Sequence, residues 1–255
     1  MDEIIRVGEL LAVGLLAGTL NTLVGGGTSI MLPFLVLFLG LDAQMANGTN
    51  RFSICFQTLA ASRTLHSGGS GRIRDALPYA LAAFAGGFAG AYLNTLMDGD
   101  QFRAVMGWVL LVGVAFFFLK PRRLVAGLEL APPSSPPLLG LVGAFAMGVY
   151  GGFLGAGVGV LILLFLTPLA RLDLVRMLAV KVLMVLTLSI SASAVYLFHR
   201  QVHWGYALPL VVANIGGGIL GARLALRGGE RWIRRAVAVV GAGLAFLLIV
   251  EWRPF

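Results

Sequence analysis

Asn21-Thr-Leu-Val-Gly-Gly-Gly-Thr-Ser29 interrupts an apolar run that extends from residue 7 to residue 40. Gly151-Gly-Phe-Leu-Gly-Ala-Gly-Val-Gly159 interrupts a second such run, 138–170. A gapless offset of 131 residues relates the two and carries Gly26 onto Gly157. The same offset carries Leu41-Asp42 onto Leu172-Asp173, Ala76-Leu77-Pro78 onto Ala207-Leu208-Pro209, and Arg103 onto Arg234. It also carries Gly86-Gly87 and Gly90-Ala91 onto Gly217-Gly218 and Gly221-Ala222. The chain therefore reads as two repeats, 1–130 and 138–255, joined by the linker Ala131-Pro-Pro-Ser-Ser-Pro-Pro137, which proline stiffens. Glycine-broken segments at matching places in two halves point to a secondary transporter.

Composition sets the class. Of 255 residues, 58% are hydrophobic and 12% are charged, more apolar surface than a soluble domain can cover, so lipid must cover it. The net charge of +8 lies in short runs between apolar stretches, as in membrane-protein loops, and does not indicate nucleic-acid binding. Cys55 is the one cysteine, so no disulfide framework exists within the chain, and its apolar surroundings suit packing. The N-terminus does not read as a signal peptide, because Asp2 and Glu3 make its flank acidic and its apolar stretch has a counterpart at 138–170.

Six apolar segments suit one helical crossing each: 48–66, 76–97, 102–119, 174–198, 205–226 and 234–251. The two glycine-broken runs are different. Each is long enough for about 45–50 Å of helix, beyond a ~30 Å hydrocarbon core, and each half is short for a full span. Each fits a pair of short helices that enter the membrane and return. Charge tests this. If both runs cross once, the basic residues other than the interior Lys181 divide nine against nine. If both turn back, thirteen (Arg63, Arg72, Arg74, Lys120, Arg122, Arg123, Arg171, Arg176, Arg223, Arg227, Arg231, Arg234, Arg235) face five (Arg6, Arg51, Arg103, Arg200, Arg253). The second division obeys the positive-inside rule. The expectation is thus an all-α polytopic membrane protein of the inner cell membrane. It has two inverted repeats, each with three full transmembrane helices plus a glycine-broken helical hairpin, and both termini outside. Two short spans in place of each hairpin give the same parity.

Facing hairpins would bring their glycine tips together near the midplane. The first tip offers Asn21, Gly25, Gly26, Gly27, Thr28 and Ser29. A helix restarts there, and Thr28 or Ser29 can cap it; the start presents backbone N–H groups and a positive dipole end to an anion. Gly155, Gly157 and Gly159 offer the same geometry in the second tip. Elsewhere the glycines suit close helix packing. Ala46-Asn47-Gly48-Thr49-Asn50-Arg51 opens the segment 48–66, and Asn50 corresponds to Lys181, which lies inside an apolar run. A cation in the membrane costs about 2.5–3.5 kcal/mol on insertion scales and commonly marks a substrate path. Gln57, Thr58, Ser62, Thr187, Ser189, Ser191 and Ser193 could line that path, although such residues more often bond helices together or bond back to their own backbone. Arg223, close to a segment end, reads as snorkelling. All eleven Asp and Glu residues lie at or beyond segment ends, with Asp42 and Asp173 placed to cap the helices that follow. No carboxylate is placed to bind a cation or relay a proton at mid-membrane.

At these motifs the chain resembles the sulfite exporter TauE/SafE family, also called the toluene sulfonate uptake permease family. The residues that carry the resemblance are Asn21 to Gly27 with Pro33, Ala46 to Arg51, Gly148 to Gly159, Leu172 to Arg176, Lys181 to Leu183, Gly217 to Arg223 and Gly229 to Arg235. The resemblance implies transport of small sulfur-containing or carboxylic anions such as sulfite, sulfonates or sulfoacetate, and about eight membrane segments. The function expected is a secondary transporter with a small anionic substrate. The substrate would be held by Asn21, Gly25, Gly26, Gly27, Thr28, Ser29, Asn47, Thr49, Asn50, Arg51, Gln57, Gly155, Gly157, Gly159 and Lys181. No cofactor, metal or catalytic residue is expected, no nucleic-acid partner is expected, and a homodimer is possible. The alternative is a passive anion channel. An intramembrane enzyme would need a His-Glu-x-x-His pattern or a mid-membrane base, and the sequence has neither.

Overall fold

A computed structural model describes residues 2–67, 73–106, 108, 137–170 and 174–251. The helices are α1 (Asp2–Leu23), α2 (Gly27–Pro33), α3 (Ala43–Ser67), α4 (Ile73–Thr95), α5 (Leu138–Phe153), α6 (Val158–Leu161), α7 (Thr167–Ala170), α8 (Leu174–Phe198) and α9 (Trp204–Glu251). Five-residue π-helical turns, Phe34–Phe38 and Ile162–Leu166, follow α2 and α6. No strand occurs among the described residues. The repeat is visible in the element boundaries: α2, α3 and α4 begin at 27, 43 and 73, and α6, α8 and α9 begin 131 residues later, at 158, 174 and 204.

Both glycine-broken runs turn back on themselves. Gly25 takes a φ of 98°, and Gly155 and Gly157 take 70° and 71°, a left-handed backbone that a side chain disfavours. After the first turn, Gly27 packs on Ala17 and Asn21, and Met31 lies beside Gly14. After the second, Val158 lies beside Gly151, while Leu166 and Leu169 lie beside Gly143. Each short helix thus runs antiparallel to the helix it follows, as expected for a hairpin.

Packing interleaves the halves. α1 packs on α9 and its repeat mate α5 packs on α4; α3 packs on α9 and its mate α8 packs on α4; α3 and α8 pack on each other. Small residues set these contacts. Gly86 and Gly90 lie against Phe145 and Val149 of α5, and their mates Gly217 and Gly221 lie against Leu15 and Thr19 of α1. Without Cβ atoms the backbones approach closely, as glycine pairs four apart permit in lipid. Outward faces are apolar: Phe38, Leu81, Phe88 and Val212 are each more than half exposed.

Among the described residues, three helices are long and apolar enough to cross a membrane: Ala76–Thr95, Arg176–Phe198 and Trp204–Gly228. These match three of the six expected crossings. α3, which covers the expected segment 48–66, is a continuous helix of 25 residues but is not among these three, because it carries and buries the polar side chains of Asn47, Asn50, Arg51, Gln57 and Thr58. Most of 102–119 lies outside the described residues, as do the linker from Ala131 to Pro136 and Asp173. One expectation is corrected. The turn anticipated between 226 and 234 does not form, and α9 is one helix of 48 residues. The stretch Arg227 to Arg235 contains no proline, and its Arg and Glu residues are good helix formers, so the helix continues through it despite the cost of about 1 kcal/mol each for Gly228 and Gly229.

Candidate functional site

Ending a helix inside a membrane leaves carbonyls without partners, and no water is there to take them. α1 ends at Leu23, and the N–H groups of Val24 and Gly25 both return to Leu20 O, at 2.8 and 3.2 Å. Asn21 O and Thr22 O are left over. Lys181 Nζ donates to both, at 3.1 and 2.6 Å. α5 ends in the same way, with Leu154 and Gly155 N–H returning to Tyr150 O at 3.1 Å each. There the carbonyls are shared among several helices. Tyr196 Oη donates to Gly152 O at 2.7 Å. Asn47 Nδ2 and Asn94 Nδ2 donate to Phe153 O at 2.9 and 3.0 Å. Arg51 Nη2 donates to Leu154 O at 3.0 Å, and Tyr150 Oη reaches across the turn to Ala156 O at 2.5 Å. A cation at a helix C-terminus also meets the negative end of its dipole.

The arrangement is crossed. Lys181, of the second half, holds the first tip, and Arg51, of the first half, holds the second. The tips themselves meet through backbone: a Cβ on Gly25 would overlap Gly159 Cα, and one on Gly155 would overlap Arg51 Nη2. A side chain at either place would push the halves apart. Beside this contact Gly157 and Ser29 face each other across open space. A Cβ on Gly157 would meet nothing but Ser29 Oγ, at 3.9 Å.

Arg51 and Lys181 are 0% and 1% exposed. The ionisable groups facing Arg51 are Tyr196, Cys55 and Tyr150, and neither cation has a carboxylate partner among the described residues. Burying a guanidinium without a carboxylate partner is costly. Arg51 Nε and Nη1 and Asn50 Nδ2 are buried donors with no acceptor, whereas Asn47 Oδ1 and Asn94 Oδ1 are buried acceptors with no donor.

The sequence-predicted residues divide into three groups. Gly25, Gly155, Gly159, Arg51 and Lys181 gather where the tips meet, and Asn50, next to Arg51 in α3, is buried with its Nδ2 unpartnered. Others serve the frame: Asn21 Nδ2 donates to Gln57 Oε1 at 3.2 Å, and Gln57 Nε2 donates to Gly18 O and Thr22 Oγ1 at 3.2 and 3.0 Å, locking α1 to α3. Thr49 Oγ1 accepts from His203 N–H at 2.9 Å, far along the chain at the start of α9. Asn47 belongs to the α5 clamp. The third group corrects the capping expectation: Gly26 is the N-cap of α2 with no side-chain cap bond, and Ser29 N–H returns to Gly26 O at 3.1 Å. Thr28 and Ser29 lie within the first turn of α2, and Gly27 is spent on packing against α1.

Of the polar residues that could have lined a path, Thr58 bonds back to Ile54 O at 2.7 Å, Thr187 bonds across to Ala80 O at 2.7 Å, and Ser193 meets Cys55 Sγ at 3.3 Å. Asp42 Oδ2 caps α3 by accepting Gln44 N–H at 3.0 Å, and Arg223 is exposed. Asn94, Tyr196 and Tyr150 were not foreseen. Asn94 is a lone amide in an otherwise apolar stretch, which is the signal that could have marked it.

A family model described as Sulfite exporter TauE/SafE matches residues 10–248. A probable membrane transporter protein, ORF9, from a Sinorhizobium species is 26% identical over 95% of this chain and 92% of its own length. A probable membrane transporter protein of Haemophilus influenzae is 26% identical over 91% and 89% of the two chains. The probable membrane transporter protein YunE of Bacillus subtilis is 27% identical over 84% and 87%. No solved structure matches the chain.

Proposed function

The chain belongs to the sulfite exporter TauE/SafE family and is a membrane transporter, and on that premise we propose that it carries small sulfur-containing or organic anions by alternating access. The anion binds near the contact of the two tips, with the Arg51 guanidinium supplying the positive charge. One observation carries this reading: Arg51 is fully buried, has no carboxylate partner among the described residues, and keeps two guanidinium nitrogens without acceptors. In a medium of low dielectric an anion offsets that charge far better than it could in water. The tip dipoles contribute less, since α2 and α6 have seven and four residues before the π turns begin.

The two halves are inverted in the membrane, and alternating access is the movement of one hairpin and its packed helices against the other. The direct backbone contact of Gly25 with Gly159 favours a carrier over an open pore, because it closes the route between the tips. Basic loops face the cytoplasm and the N-terminus faces outward; the outward C-terminus expected from charge needs a reversal at 226–234, which the continuous α9 does not make.

Proteoliposomes containing the purified protein test the proposal. Uptake of labelled sulfite, ethanesulfonate and acetate is expected to saturate for at least one of them. Flux that rises without saturation supports a channel instead, and no flux of any of these anions removes the proposal.

A further inference from the structure

We infer that the two buried cations have different tasks: Arg51, with Asn50, contacts the anion, whereas Lys181 is a positioning residue that holds the first tip. The inference rests on the transport reading above and assigns its charged pole to the second tip.

Donor counting supports it. An arginine has five N–H bonds and a lysine three. At the end of α5, Gly152 O and Phe153 O are already taken by Tyr196, Asn47 and Asn94, so Arg51 commits one nitrogen, Nη2, to Leu154 O. Its Nε and Nη1 remain without acceptors, as does Nδ2 of the preceding Asn50. At the end of α1 no such set of side-chain donors is seen among the described residues. The residues 131 positions from Asn47, Asn94 and Tyr196 are Leu178, Ala225 and Leu65, buried and apolar, which cannot donate to a carbonyl. Lys181 therefore meets both Asn21 O and Thr22 O with its one ammonium. The residue 131 positions from Arg51 is Val182, so the first tip has no guanidinium to offer a ligand.

The halves have divided one requirement. In the second tip three neutral side chains satisfy the helix end and release a guanidinium for the ligand. In the first tip the cation is consumed in satisfying the helix end. The ligand group that fits a guanidinium and an amide donor together is a small oxyanion, held by charge-assisted hydrogen bonds.

Charge-conserving exchange separates the two tasks. Wild type, R51K, K181R and N50A are purified in detergent, and the dissociation constants of sulfite and ethanesulfonate are measured from ligand-dependent melting shifts. The melting temperature without ligand reports the frame independently. R51K is expected to weaken binding about tenfold or more, because the guanidinium donors are lost while the charge remains. K181R is expected to stay within about threefold of wild type in affinity while its unliganded melting temperature changes. N50A, which removes a donor that holds no carbonyl, is expected to weaken binding several-fold, about the worth of one hydrogen bond, at an unchanged melting temperature. It carries the comparison if R51K does not fold. Affinity lost equally in R51K and K181R, or unchanged in N50A, overturns the inference. A wild type that binds neither probe refutes the transport reading itself, which is a separate result.

Discussion

Arg51 and Lys181 lie on the mated helices α3 and α8, and each holds the broken helix of the opposite half: Arg51 Nη2 lies 3.0 Å from Leu154 O, and Lys181 Nζ lies 2.6 Å from Thr22 O. The helices that carry the cations pack on each other, so these bonds tie both hairpins to one α3–α8 core. A movement that separates the tips has to break these bonds or carry the core along.

Removing the Lys181 ammonium leaves Asn21 O and Thr22 O without donors. Lys181→Met is therefore expected to lower unfolding stability by about 1–3 kcal/mol for each stranded carbonyl. Thermal or chemical unfolding in detergent measures this. A stability equal to that of wild type contradicts the capping role.

Asn47 and Asn94 share one acceptor, Phe153 O. Either amide alone can satisfy it, so Asn47→Ala and Asn94→Ala should each cost about 0.5–1.5 kcal/mol, and the double variant more than their sum. A double-mutant cycle on unfolding free energy reads the coupling. Strict additivity would show that the two amides act independently.

Gly25 and Gly157 both have left-handed backbones, but their surroundings differ. Alanine at Gly157 meets open space and should cost about 1–3 kcal/mol from backbone strain alone. Alanine at Gly25 also collides with Gly159, so Gly25→Ala should lose transport altogether where Gly157→Ala retains part of it. Uptake assays on both variants at matched expression decide this.

The hairpins and their tips were legible in the sequence because clustered glycines in an apolar run have few explanations, and because the repeat placed the two clusters in register. The buried cations were legible for a similar reason: Lys181 has no business in lipid without a partner. Its partners were not legible. They are main-chain carbonyls, which every residue carries, so no residue type marks Thr22 or Asn21 as the acceptor. Asn94 and Tyr196 escaped notice because they gain meaning from the end of a helix more than 40 residues away in sequence. The break expected between 226 and 234 rested on a gap in the apolar pattern, and a polar stretch without proline does not have to end a helix, even one that contains Gly228 and Gly229.

The membrane orientation follows from charge and is open to labelling. In a Cys55→Ser background, Arg200→Cys, at an exposed position between α8 and α9, should react with an impermeant maleimide added outside intact cells. Ser70→Cys, among the basic residues Arg63, Arg72 and Arg74, should react only after the membrane is opened. The reverse pattern inverts the proposed topology.

The most direct test of a carrier with its anion at the tip contact is the concentration dependence of sulfite flux into proteoliposomes, for wild type beside R51K. Saturation in wild type, with a half-saturating concentration raised about tenfold or more in R51K, is the expected result. Flux that never saturates, or a half-saturating concentration that R51K leaves unchanged, would contradict the account.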